Sequence, residues 1–374
     1  MAWTNATMRP DCPEGAFDRK ATGFQASGRV MRLAMTLSPG LKPRSTFHLA
    51  VLDWKRQEII DCLEEKADFF NESHKGFAGA SLAGEGLYAV DEVHLYEIGL
   101  NPLRRLRKVT HRLLNDAHHI AVAGDRVFVA NSGLETVEEF NHRFEHVRTH
   151  FLLKHNGRSP GQCVSRIQHS AKRALNRLIG RNLRYGHLPN QVRFANLKKF
   201  LNPERYHRPG LDLRRSDFRP HYLHPNHIWC GGAKPLVTLS GLGMVVEIDS
   251  GRVVARDLGF PHDGLAIGTR FFVTDCSTNE LLVFPYDQAT RTIGPHPERI
   301  RVCGSIEEAF LRGIACDGER VYVGLTARRS QPQYATVRVR ALELDTWRPV
   351  GEFTLPVALG HAVFSLIDVS QHYS

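Results

Sequence analysis

The sequence predicts an all-β chain, a six-bladed β-propeller closed by strands from both ends, with one basic, partly helical insertion. Three observations predict it. A four-strand unit is written five times and begun a sixth. Its spacing matches the roughly 40–45 residues of a propeller blade. The incomplete pieces at the two ends of the chain complete each other.

The second strand of each unit is the clearest: GLYAV at 86–90, RVFVA at 126–130, PLVTL at 235–239, RFFVT at 270–274 and RVYVG at 320–324. Short apolar runs rich in Val, Phe and Tyr read as strands buried on both faces. First strands are anchored at Ser81, Ala121, Cys230, Ala266 and Ala315, with a sixth near Ala362. The anchors are 40, 109, 36, 49 and 47 residues apart. Removing an insertion of about 65 residues brings the outlier back to the common period. Third strands follow at 93–98, 136–140, 244–248, 281–284 and 340–344, and turns at Asn141, Asp249, Asp287 and Asp345 come next. Asp and Asn suit such turns because their side chains bond the backbone two residues on.

The ends supply the sixth blade. Residues 29–36 fit a second strand, and 47–53 and 58–63 fit a third and a fourth. Residues 361–368 fit the missing first strand, and joining the pieces removes the exposed edges of an open ring. Seven blades is the main alternative. The predicted parts are an arm at 1–28, blades at 29–153, an insertion at 154–222 and blades at 223–374.

Charge singles out the insertion. It carries 16 Lys and Arg against 3 Asp and Glu, a local +13 in a chain of net charge +10, so the rest carries −3. Val164, Ile167, Ala171, Ala174, Leu175 and Leu178 recur at helical spacing, which predicts an amphipathic helix over 163–180. The segment is read as a handle for a polyanionic or protein partner, a surface for an anionic membrane, a lid over one mouth, or a solvated elaboration of the rim. No run reaches the roughly 18 apolar residues of a membrane span. The N-terminus lacks the basic head and apolar run of a signal peptide. Seven cysteines, odd in number and without a CxxC pair, argue against a disulfide framework. A cytoplasmic protein is expected.

The residues entering each first strand carry the chemistry. They are Lys75, His118 and His119, Asn226 and His227, His262 and Asp263, Arg312 and His361. First strands line a propeller channel, so these residues are expected around one mouth. Imidazoles from separate blades suit a divalent transition metal such as Zn, Fe or Mn, with His118, His227, His262 and His361 as ligands. Without a metal, the same residues suit a small anionic ligand. His118, His227 and His262 then act as acids or bases and Arg312 as the clamp, with Lys75, His119, Asn226 and Asp263 completing the site. A structural reading, polar caps at strand ends, competes with both. A scaffold that binds a partner without catalysis is the alternative function. The HxxEH pattern at 142–146 is discounted, because it needs a helix and falls on a predicted turn and strand. P-loop, GxGxxG and GxSxG signatures are missing from the sequence.

The stretches HHIAVAGDRVFVANS at 118–132 and FLRGIACDGERVYVG at 310–324 resemble units of six-bladed calcium-dependent-phosphotriesterase-like propellers, the superfamily of NHL-type and gluconolactonase-like proteins. The resemblance spans roughly 29–153 and 223–369. It implies the fold and a channel-mouth site. Gluconolactonase-like members hold a divalent metal with Glu, Asn and Asp. This chain has His at the corresponding entries, which favours a softer metal, or none, over calcium lactonase chemistry.

Overall fold

The computed structural model describes residues 30–39, 46–68, 75–152, 211–214, 223–231, 234–303, 309–327 and 336–373. The expected arm and nearly all of the expected insertion, including its helix, lie outside them. The regular elements of the described residues are almost all strands. The first three strands are β1 (Arg32–Ser38), β2 (Thr46–Asp53) and β3 (Glu58–Lys66). One blade follows as β4 (Gly79–Ala83), β5 (Gly86–Val90), β6 (His94–Gly99) and β7 (Arg104–Thr110). The next is β8 (Ala117–Ala123), β9 (Arg126–Asn131), β10 (Thr136–Asn141) and β11 (His146–Phe151). Then come β12 (Pro225–Trp229), β13 (Leu236–Leu239), β14 (Met244–Glu247) and β15 (Val253–Ala255). The fourth complete blade holds β16 (Leu265–Ile267), β17 (Arg270–Asp275), β18 (Glu280–Asp287), β19 (Thr292–Ile293) and β20 (Glu298–Arg301). The fifth holds β21 (Ala309–Cys316), β22 (Arg320–Ala327), β23 (Arg338–Glu343) and β24 (Pro349–Thr354), and β25 (Ala362–Asp368) ends the series.

These strands form six antiparallel sheets, so the propeller has six blades. Five follow chain order. The sixth runs β25-β1-β2-β3, as the complementary ends predict. Leu33 pairs with Asp368 and Leu37 with Val363 across the closure. Along the ring, β25 touches β4, β4 touches β8, β8 touches β12, and β21 touches β16 and β25.

The apolar second strands are explained by packing on both faces. In β9, Val127 and Val129 join the cluster shared with the preceding blade, while Phe128 and Ala130 join the one shared with the following blade. In β22, Val321 and Val323 face one neighbour and Tyr322 the other. Period-2 alternation therefore sorts one continuous apolar run into two interfaces. Each of the six blade–blade interfaces has its own cluster. The first hairpins turn at Gly84, Gly124 and Gly268, with φ of +57°, +59° and +56°. This is the left-handed backbone that a two-residue hairpin turn favours giving to glycine. Two of the expected Asp and Asn turns show the expected bonds: Asn141 Oδ1 accepts from the Arg143 and Glu145 amides, and Asp287 Oδ1 from those of Ala289 and Thr290, while Asp249 pairs with Arg148 and Asp345 with Arg270.

Residues 142–146 are turn and strand start, without helix. His146 bonds Glu138 at 2.9 Å and stacks on His111 with ring centroids 5.0 Å apart. Among the described residues no helix is long and apolar enough to cross a membrane.

Candidate functional site at the channel mouth

The inner strands break their pairing where the candidate residues sit. The β8–β9 register shifts between Ala117 and His119, β12–β13 between Pro225 and Ile228, and β21–β22 between Leu311 and Ile314. In the fourth blade Pro261 bridges Asp275, yet β16 starts only at Leu265, so His262 and Asp263 fall in the gap. An unpaired residue bends a strand and re-aims its side chain. His118, Asn226, His227, His262, Asp263 and Arg312 all ride on such breaks. Gly313 makes the last one possible: its φ is +81°, and a Cβ there would lie 2.8 Å from the Leu366 amide nitrogen.

Two groups of side chains result. The outer group begins with Lys75, whose ammonium pairs with Asp116 and donates to His118 Nε2 at 2.8 Å. That bond assigns the His118 proton to Nδ1, which is buried without a partner. The His118 ring meets the edge of His224, with centroids 4.8 Å apart, and His224 lies 6.0 Å from Phe260. Across the mouth, the Arg312 guanidinium lies 4.6 Å from the Phe364 ring centre and 5.7 Å from that of Phe310. His262 packs 6.2 Å from Phe364. Its buried Nε2 makes no hydrogen bond, and its Nδ1 lies 3.5 Å from Asp263 Oδ2.

The inner group lies deeper. His119 and His227 pack face to face, with centroids 3.9 Å apart. His119 Nδ1 accepts from the Ile228 amide at 3.3 Å, and the ring also bonds the Ala80 backbone. His119 thus ties three blades together. Asp263 Oδ2 accepts from Thr274 Oγ1 at 2.7 Å and from the Gly313 amide at 2.9 Å, and lies 3.5 Å from His262 Nδ1. Asn226 bonds Ser240 and Pro261, so its amide links neighbouring blades. Below this group runs a cavity of about 420 Å³, bounded by His119, His227 and Asp263 at one end and by Cys230, Cys316 and Asp368 at the other.

Burial sets the protonation. It lowers His118 to about 3, with Lys75 adding to the effect, and lowers His227 to about 4. Burial likewise holds His119 well below the ordinary value, and it lowers His262, helped by Arg312. All four rings are neutral at pH 7. Burial raises Asp263, and attraction to His262 and His227 in their charged forms, with hydrogen bonds from the His262 ring and the Thr274 hydroxyl, more than offsets it, so its carboxyl titrates below its ordinary value. Because the four histidines titrate lower folded than unfolded, the unfolded chain takes up protons first as pH falls below about 6.5. Stability is expected to drop from there toward pH 4, by up to about 1.4 kcal/mol per pH unit for each buried ring. Melting temperatures between pH 7.5 and 4.5 check this, and a flat profile contradicts neutral burial.

Sequence reading placed all nine candidates around one mouth; in the structure Lys75 contacts His118, and His262 and Arg312 both lie near Phe364. His262 senses the charges of both Arg312 and Lys75. His119, His227, Asn226 and Asp263 form the deeper group. His361 immediately precedes the closing strand, its amide bound to Ser38 O at 2.8 Å. Among the described residues no three His, Cys, Asp or Glu side chains stand where they could hold a metal ion. Sequence reading missed Asp116, His224, Phe260, Phe310 and Phe364. A signal existed for four of them: Asp116, His224, Phe260 and Phe310 lie two residues before His118, Asn226, His262 and Arg312. Phe364 is different, because β25 has no such register.

Residues 211–214 dock beside this mouth. Leu213 packs with Leu113 and Leu134, and its carbonyl accepts from Asn115 Nδ2 at 2.6 Å.

No family model matches the chain, and no curated protein matches it. Solved structures do. A protein of unknown function from Bacteroides caccae is similar at 9% identity, with a TM-score of 0.54 over 90% of this chain and 98% of that one. A chain of a nidogen/laminin complex is similar at 12% identity, with a TM-score of 0.51 over 90% of this chain and 97% of that one. At such identities the likeness shows architecture: the chain is a six-bladed β-propeller.

Proposed function

We propose that the mouth binds a small anionic ligand, a carboxylate or phosphate, with Arg312 as its anchor. One observation carries the reading: cations from two blades flank imidazoles whose buried nitrogens His118 Nδ1 and His262 Nε2 make no hydrogen bond. Buried polar atoms are rarely left unsatisfied, and a ligand satisfies them. Asp116 neutralises Lys75, so Arg312 supplies the charge and His118 Nδ1–H a neutral donor. Phe260, Phe310 and Phe364 give the ligand an aromatic rim. The gluconolactonase-like resemblance agrees with a site at this mouth but does not bring calcium, since the entries are His.

A second reading, acid–base catalysis on the bound anion, rests on His262. Its Nδ1 lies 3.5 Å from Asp263 Oδ2, an arrangement that favours a proton on Nδ1 and leaves Nε2 as the base. In a metal-dependent form of this reading, His118, His227, His262 and His361 are the ligands to mutate, and stoichiometric Zn, Fe or Mn in protein purified without chelator supports it.

Calorimetric titration with phosphate and benzoate at pH 7.5 and low salt tests the anion reading. Binding is expected for at least one, with a loss of about 30-fold or more in Arg312→Gln, the usual result of removing one partner of a buried charge pair. Equal affinity in parent and variant sinks the proposal.

A further inference from the structure

The cavity inside the ring is chemically unlike the mouth. Each of the six blades contributes a partly exposed apolar side chain to its wall: Leu82, Val122, Trp229, Leu265, Cys316 and Ile367. Because all six line one cavity, they form a contiguous apolar ring rather than scattered surface residues. Exposed apolar patches that are contiguous and concave mark binding sites. Among the residues that line the cavity there is no Lys or Arg. Its two acidic residues bond groups of the protein itself: Asp263 accepts from Thr274 and the Gly313 amide, and Asp368 from Ser370.

Two buried polar atoms of this lining have no hydrogen-bond partner, Ser81 Oγ on β4 and His227 Nδ1 on β12. Buried polar atoms are seldom left so. The group that completes them follows from what each can donate and accept. A serine hydroxyl does both, and an imidazole Nδ1 does one or the other according to its tautomer. A carboxylate on the ligand only accepts, and an ammonium only donates. An alcohol does both, so it suits His227 in either tautomer. It also brings no charge into an apolar enclosure, where an unpaired charge is strongly unfavourable.

We propose that the channel cavity is a second binding site, which takes an alcohol with an apolar body, its hydroxyl on Ser81 Oγ and His227 Nδ1 and its hydrocarbon along the ring of six side chains. At about 420 Å³ the cavity falls in the range of small-molecule sites, roughly 300–1,000 Å³. Removing hydrocarbon from water supplies the affinity, roughly fourfold for each buried CH₂. The hydroxyl orients the molecule. Neither Arg312 nor His118 lines the cavity, so this site does not depend on the anion site at the mouth. Each can fail while the other stands.

Calorimetric titration of the intact chain with 1-butanol, 1-hexanol, n-hexylamine and hexanoate at pH 7.5 tests it. The expected result is saturable binding of hexanol, about 15-fold tighter than butanol, with hexylamine and hexanoate weaker than hexanol by about tenfold or more. Ser81→Ala is expected to weaken hexanol about fivefold, and Val122→Trp, which fills part of the cavity, by about tenfold or more. No saturable binding of hexanol, an affinity that does not grow with chain length, or an amine or acid bound as tightly as the alcohol overturns the proposal. Those comparisons need no variant and stand even where one fails to fold. A folded Val122→Trp protein with the parent affinity for hexanol puts the alcohol elsewhere, and an unchanged affinity in Ser81→Ala removes its hydroxyl from this wall. Either result also overturns it.

Discussion

A chain ending at Gly360 is expected to lose its fold. The truncation removes β25, the first strand of the closing blade and its partner on the channel side of β1. Val363, Phe364, Leu366 and Val369 go with it, and each is at most 5% exposed. Burying one such side chain contributes about 1.5–3 kcal/mol, so the four together rival the roughly 5–15 kcal/mol of a whole domain. The loss also uncovers one edge of β1 and a face of the fifth blade, and unpaired edges drive association. Tyr373, whose hydroxyl bonds Asp61 at 2.8 Å, is lost as well. Size-exclusion chromatography with circular dichroism should show aggregate, and a peptide of residues 361–374 added during refolding should restore monomer. A truncated monomer that melts like the parent would show that closure is dispensable.

Gly324→Ala is expected to damage stability and the mouth together. An added Cβ would lie 2.2 Å from the Arg312 carbonyl oxygen and 2.6 Å from Val363 Cγ1. The first contact is backbone and cannot swing aside. Relief requires the β21 bulge to move, and that bulge aims Arg312. Overpacking of this kind costs about 1–3 kcal/mol, more where backbone must shift. Urea unfolding should show that loss, and anion affinity at the mouth should fall by at least about tenfold in the protein that remains folded. A stability loss with unchanged affinity would separate the bulge from the site. Gly79 shows the same logic on β4, where a Cβ would stand 2.4 Å from the His118 carbonyl oxygen.

The blade pattern was legible because each interface writes the same local sequence. VFVA at 127–130 is apolar throughout, since alternate residues serve two interfaces, and Gly84, Gly124 and Gly268 mark left-handed turns at three of the first hairpins. Closure was legible for the same reason, as the fragments at the two ends lacked complementary strands. The mouth was legible in part. His118, His262 and Arg312 share a register relative to their anchors, and register within a blade fixes height along the channel. The split between mouth and cavity was not legible. His118 and His119 are neighbours in sequence, as are His262 and Asp263, and nothing local says which member of a pair lies deeper.

The sequence by itself determined the repeat, the closure of the ring by both ends of the chain and the set of polar residues at the inner-strand entries, because hydrophobic period, turn chemistry and spacing are local properties; six blades rather than seven was decided by the sheets themselves. Only the tertiary structure decided which of those residues act together. The bulges at Ala117–His119, Pro225–Ile228 and Leu311–Ile314 depend on how each inner strand fits its neighbours around the ring. Burial by those neighbours holds four imidazoles below their ordinary values. Desolvation and side-chain direction are set by contacts between residues tens to hundreds of positions apart, and a reading along the chain does not contain them.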